Sequence, residues 1–146
     1  MTLLDILKVK GSAVFTIIPN ATLRDATHEM VRHNVGALVV CDRHLEQGEI
    51  PLGIISERDI LRFCAAGEGP LESTQVKEVM TTQLVTGAPL DSVEATMGLM
   101  TSKRVRHLPV LVGGRLVGMV SIGDLVKSQF DRLAMENQFM KNYITG

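Results

Sequence analysis

The chain has 146 residues, enough for one compact domain with a sizeable core. Apolar residues make up 45%, which excludes disorder, and aromatics only 3% with no Trp, so the core has to be built from Val, Ile, Leu and Met. That shortage of aromatics argues against stacking platforms for single-stranded nucleic acid, and a formal net charge of −1 removes any bulk electrostatic case for nucleic acid or an anionic membrane.

No apolar run approaches the roughly 20 residues that a membrane helix needs. The opening Met1-Thr2-Leu3-Leu4-Asp5-Ile6-Leu7-Lys8 carries an early acid and has no signal-peptide layout, so a cytoplasmic protein is expected. Cys41 and Cys64 lack framework spacing and read as free buried thiols.

Apolar residues at 3, 4, 6, 7 and 9 predict a short helical arm, residues 1–13, that packs on the body and breaks at Gly11 and Ser12. The β-branched and aromatic run Val14–Ile18 predicts a strand closed by Pro19. Thr22 then caps a helix to about His33, with Leu23, Ala26 and Met30 on one face. Gly36–Cys41 reads as a buried strand, Asp42–Glu49 as a polar loop, and Pro51–Ile55 as the next strand. The helix after Ser56 ends near Gly67, before the breaker cluster Gly67-Glu68-Gly69-Pro70.

The pattern then begins again. With Pro19 set on Pro89, an offset of 70 places Leu23 on Val93, Met30 on Met100, Val35 on Val105, Leu38 on Leu108 and Val40 on Val110. The first copy carries five more loop residues, after which an offset of 65 sets Gly53 on Gly118, Ser56 on Ser121 and Asp59 on Asp124. This is an internal duplication. Its units, residues 14–67 and 82–128, each read strand–helix–strand–strand–helix, an α+β arrangement related by a pseudo-two-fold axis. Residues 68–81 form a linker, and Val76, Val79 and Met80 within Gln75–Thr81 open the second unit. The last helix overruns the repeat through 129–146, placing Val126, Phe130, Leu133, Met140 and Ile144 at helical spacing. It packs back on its own domain or meets a second copy of the chain, and the length of the stripe favours the second.

Both copies contain Ser-x-x-Asp between a strand and a helix: Ser56-Glu57-Arg58-Asp59 and Ser121-Ile122-Gly123-Asp124. Ser fits the N-cap and Asp the N3 position of a capping box. The same geometry offers helix N–H donors to a phosphate, and a carboxylate can accept two hydrogen bonds from a ribose diol. One such motif is weak; two inside matching repeats are stronger.

The pattern Pro19-Asn20-Ala21-Thr22-Leu23, His33–Val40 and Gly53–Asp59 resembles a CBS motif, the unit first described in cystathionine beta-synthase. Pro89–Val93, Lys103–Val110 and Gly118–Asp124 resemble it more closely, with the Arg106-His107-Leu108-Pro109-Val110 run typical of the family; the first copy departs there with Gly36-Ala37-Leu38-Val39. The ending Asn142-Tyr143-Ile144-Thr145-Gly146 also resembles small stand-alone bacterial CBS-pair proteins. The resemblance implies a regulatory CBS pair, or Bateman module, holding AMP, ADP, ATP, NAD or an S-adenosyl compound in clefts between the repeats. It implies that Asp59 and Asp124 hold ribose hydroxyls and that Ser56 and Ser121 face phosphate or ribose. It places Thr16, Ile17 and Ile18, and Thr86 and Gly87, beside adenine. Backbone groups at Val35, Gly36 and Ala37, and at His107, Leu108 and Pro109, read the base or line the cleft. The partners it implies are an adenosine-containing small molecule, a second copy of the chain and an unidentified effector protein.

Lys103, Arg104, Arg106 and His107 form a dense basic group, whereas their first-copy counterparts His33, Asn34, Gly36 and Ala37 carry little charge. The two clefts are therefore expected to differ, the basic one taking the more anionic ligand. The alternative is a solvated helix end whose cations suit the C-terminal dipole. Arg58 either reaches phosphate or is simply exposed, and Gly123 allows close ligand approach or merely tight packing.

An enzyme is disfavoured, since no nucleophile–base arrangement and no Walker-type loop has supporting context. Cys41-Asp42-Arg43-His44 is half a metal site without a second half, and His28 and His33 are five apart, so they do not share a helix face. A scaffold that dimerises through its repeats and terminal helices without ligand is the remaining alternative.

Overall fold

Each Ser-x-x-Asp stretch ends a strand and starts a helix, and two such turns organise the computed structural model, which describes residues 1–42 and 49–145. In chain order the elements are α1 (Leu3–Lys10), β1 (Thr16–Ile17), α2 (Leu23–His33), β2 (Ala37–Asp42), β3 (Ile50–Ser56) and α3 (Glu57–Ala66). There follow α4 (Val76–Val79), α5 (Val93–Lys103), β4 (His107–Val112), β5 (Arg115–Ser121) and α6 (Ile122–Thr145).

The duplication holds in the pairing. Strand β1 runs parallel to β2, which pairs antiparallel with β3; β4 pairs antiparallel with β5. Val40 faces Gly53 and Val110 faces Gly118, and both ladders slip register at the next residue. In the first ladder that slip lets Pro51, which has no N–H to donate, sit opposite Cys41. The first strand of each unit is shorter than its apolar run suggests. Only Thr16 and Ile17 pair in the first copy, and in the second the strand shrinks to one parallel bridge, Gly87 to Val110.

Two cores result, one per repeat. Leu23, Met30, Leu38, Val40, Ile55 and Ile60 fill the first; their repeat partners Val93, Met100, Leu108, Val110, Val120 and Leu125 fill the second. The residue that completes each core comes from a preceding short helix. Val76 of α4 is fully buried in the first core, and Leu3 of α1 in the second. The docking bonds match: Leu3 N–H and Leu4 N–H donate to the carbonyls of Asp91 and Pro89, while Val76 and Lys77 donate to those of Ala21 and Pro19. The N-terminal arm therefore packs on the core of the second repeat, and α4 of the linker on the core of the first.

Helix α6 spans 24 residues. Leu125 is buried, but Val126, Phe130, Leu133, Met140 and Ile144 are all more than half exposed, so this stripe does not pack back on its own repeat. Among the described residues no helix is long and apolar enough to cross a membrane.

Candidate functional site

The cleft between the repeats is built on the N-terminus of α3. Ser56 caps that helix: its Oγ accepts from Asp59 N–H at 3.3 Å, while Asp59 Oδ2 accepts from Ser56 N–H at 2.9 Å and from Ser56 Oγ at 3.0 Å. Glu57 N–H donates to the Gly36 carbonyl at 3.0 Å, which anchors the helix start to the chain entering β2. Arg58 and Arg62 follow one turn apart on α3, so both reach the same cleft wall. The second repeat supplies the opposite wall through Arg104, Val105, Arg106, His107 and Pro109, with Gln83, Leu84 and Val85 as the floor. Four guanidinium groups thus surround a cleft whose acids are Glu57 and Asp59.

The expected site residues divide. Ser56, Arg58, Asp59, Arg104, Arg106, His107 and Pro109 come together in this cleft. Leu108, Ala37 and Ile17 are buried in the cores, and Ile18 is partly exposed elsewhere; no side chain of these four lines the cleft. Thr16 is tied into the β1–β2 ladder opposite Val39, and Val35 lines a separate shallow depression with Glu57 and Ile60. Thr86 and Gly87 do not line it either. A side chain at Gly87 would meet Leu108 and Leu3 at 2.8 and 2.9 Å, so that position serves packing, and the chain passes the cleft three residues earlier, at Gln83–Val85. Arg62 and Gln83–Val85 escaped the sequence reading; the i, i+4 spacing from Arg58 was the available signal for Arg62.

The second Ser-x-x-Asp has the same cap in a different setting. Asp124 Oδ2 accepts from Ser121 N–H at 2.8 Å, and Ser121 Oγ accepts from Asp124 N–H at 3.1 Å. The same carboxylate oxygen also takes Lys10 Nζ from the end of α1 at 2.7 Å, and Lys10 donates to the Met119 carbonyl at 2.8 Å. Burial would raise the Asp124 pKa, but the Lys10 ammonium and the Ser121 donors outweigh it and hold the carboxyl below its ordinary value. Gly123 has room for a side chain, with only Ser121 Oγ near at 3.6 Å, so tight packing is not its reason. Gly36, the first-copy counterpart of Arg106, lies against Glu57 and His107.

His107 stands where the two settings meet. Burial is the main cause of its lowered pKa; Glu57 and Asp124 pull it up, and Lys10 and Arg106 push it down. No group of three or more His, Cys, Asp or Glu among the described residues is placed to hold a metal. Cys41 is buried, burial first and then Glu49 and Asp42 push its thiol up to about 12, while Cys64 is exposed rather than buried as expected; Arg43 and His44 lie outside the described residues.

Two repeats of this build, facing each other across a basic cleft, define a tandem two-repeat module. A family model described as CBS domain matches residues 3–66 and 76–131, and the chain belongs to the CBS domain family. The matched segments begin at the two docking helices. The CBS domain-containing protein YhcV of Bacillus subtilis is 42% identical over 80% of this chain and 79% of its own length. A putative signal-transduction protein with CBS domains from Burkholderia ambifaria is 40% identical, with a TM-score of 0.79 over 88% of this chain and 93% of that one. The CBS domain pair of MJ0100, solved in complex with 5′-methylthioadenosine and S-adenosyl-L-methionine, shares the fold at 22% identity, with a TM-score of 0.78 over 90% of this chain and 98% of that one.

Proposed function

We propose that this chain is a non-catalytic sensor that binds an adenosine phosphate in the Asp59 cleft and reports its occupancy to a partner protein. The observation that carries the reading is the meeting of the Ser56–Asp59 cap with Arg58, Arg62, Arg104 and Arg106. The carboxylate suits a ribose diol, and the α3 N-terminus and the guanidinium groups suit phosphate. Four arginines against two acids leave an excess of two positive charges (4 − 2), taking the residues that line the cleft. That excess favours ATP or ADP over AMP, and disfavours a sulfonium such as S-adenosylmethionine. The distant MJ0100 pair supports only the general point that this fold accommodates adenosyl compounds.

A ligand between two repeats signals by binding one arrangement of them better than another. Helix α6 is the element from which such a change is read, and its uncovered apolar stripe supports a homodimer as the working assembly.

Thermal shift and calorimetry with AMP, ADP, ATP, NAD and S-adenosylmethionine test this. A ligand at a hundredfold its Kd adds about 2.7 kcal/mol, a midpoint rise on the order of 8 °C for a domain of this size. ATP and ADP are expected to bind tightest, Asp59→Asn and Arg106→Ala each to weaken them at least about tenfold. No shift with any of the five ligands overturns the reading and leaves the ligand-free scaffold in its place.

A further inference from the structure

The duplication makes two Ser-x-x-Asp caps, and at the second, on the edge of the groove between α1 and α6, the chain has set a cation of its own on the carboxylate. At the α3 turn the strand edge beside the cap is met by extended chain: Thr81 N–H donates to the Ile54 carbonyl and Ile54 N–H to the Thr81 carbonyl. Beyond it the cleft opens between Asp59 and the arginines. At the α6 turn the corresponding edge residue is Met119, and its carbonyl is met by an ammonium, that of Lys10. The difference has a local cause. Helix α4 ends at Val79, so the chain leaves it extended; α1 continues to Lys10 before Gly11, at φ 99°, ends it. The extra turn carries a cation to the carboxylate that the duplication provides for a ribose.

A second observation points the same way. The first-copy counterpart of Val85, which lines the Asp59 cleft, is Phe15. Its ring is stacked on His33, centroids 3.8 Å apart and 13° from parallel, so its face is already taken. His33 in turn reaches Glu29 at 3.1 Å.

We propose that Lys10 is the residue that makes this a single-site module: it engages the Asp124 carboxylate in place of a ligand, so each chain takes one nucleotide, at Asp59. The ammonium sits on Asp124 Oδ2, where it competes with a sugar hydroxyl for the carboxylate, and α1 holds it there because Leu3, Ile6 and Leu7 are buried in the second core. The occupant is covalently attached, so its local concentration exceeds that of a free ligand. Freeing the carboxylate requires only the ammonium to leave, since Lys10 and Asp124 keep 38% and 27% of their side-chain surface exposed. The inference rests on the nucleotide reading of the Ser-x-x-Asp turns.

Calorimetric titration of the full chain with ATP, in wild type, Lys10→Ala and Lys10→Met, tests it. The expected result is a change from one site per chain to two in both variants, with the second site lost again in Lys10→Ala/Asp124→Asn. Lys10→Met keeps the aliphatic stem, so a gain in both variants excludes a mere loosening of α1. Two sites in the wild type, or the same number of sites with and without the ammonium, overturns the proposal. Failure of the nucleotide reading at Asp59 is read separately, as an empty wild type; the difference between Lys10→Ala and wild type then still decides the role of Lys10.

Discussion

Arg104 ends α5 in the left-handed backbone region, at φ 56° and ψ 40°, and Asn34 ends α2 there at φ 54° and ψ 48°. Both cap N–H groups close onto the last turn of their helix, Asn34 onto Met30 and Val31, Arg104 onto Met100 and Thr101. Asn tolerates that conformation; a long side chain with no local bond to its own backbone pays about 1 kcal/mol or slightly more. An unfavourable residue beside the cleft is the signature of a position selected for its side chain. Arg104→Asn is therefore expected to raise stability by up to about 1 kcal/mol in urea unfolding while weakening ATP several-fold in calorimetry. A variant that loses both stability and affinity would refute this trade. His107 gives a pH dependence with a definite sign. Its folded pKa lies below the ordinary 6.5, chiefly through burial, so between those two values the unfolded chain holds more protons than the native one. Stability is expected to fall as pH drops below about 6.5 and to level off once the folded pKa is passed. Urea midpoints from pH 8 to 5 measure the slope, and His107→Gln should flatten it.

The short helices show which part of the fold the sequence carried openly. Apolar residues at 3, 4, 6, 7 and 9 announced a helix with a buried face; Leu3, Ile6 and Leu7 are buried, whereas Val9 is 90% exposed. The pattern could not say against what, because periodicity defines a stripe and not its partner. Leu3→Ala, although in a terminal arm, is expected to cost about 2–5 kcal/mol, measured by chemical denaturation; a cost near that of an exposed site would contradict the packing. Gly118 enforces the same docking, since a Cβ there would stand 2.7 Å from Leu7 Cδ1. The duplication itself was fully legible: the offsets that aligned Leu38 with Leu108 and Gly53 with Gly118 are those of the core and of the strand register. Of the residues that line the cleft, the Ser56–Asp59 cap and the basic run Arg104–His107 stood out in the sequence, while Ser121 and Asp124 do not line it. It was not legible at Gln83–Val85, because the second unit's first strand dissolves into the single bridge at Gly87 and shifts the chain past the cleft. Nor was the Lys10–Asp124 pair, which joins residues 114 apart through the pose of α1.

For the molecule as a whole, α6 poses the remaining question. Its 24 residues extend roughly 36 Å, and beyond Arg132, which bonds Glu94 and Glu136, the exposed apolar residues continue to Ile144. Val126, Phe130, Leu133, Met140 and Ile144 recur at alternating steps of four, three, seven and four, the spacing of a seam between paired helices. On the opposite side of α6 from this stripe lies a groove of about 870 Å³ against α1, lined by Met1, Ile6, Val9 and Met135 together with Lys10 and Asp124. Charges of both signs, Lys127, Asp131, Arg132 and Glu136, line the same groove, which suits a self-complementary partner better than an acidic or basic one. Light scattering after size exclusion is therefore expected to find a dimer. Phe130→Glu/Leu133→Glu should weaken it at least about a hundredfold, since two central anchors are replaced by like charges. No residue of α6 lines the Asp59 cleft, so a change of ATP affinity in the double variant reports the linkage of occupancy to assembly that a readout through α6 requires, and an affinity within about twofold of wild type would refute that readout. By reciprocity ATP is expected to shift the dimer constant of the wild type by the same factor. A wild type that stays monomeric at high concentration, with α6 intact, would instead assign the stripe to a different protein.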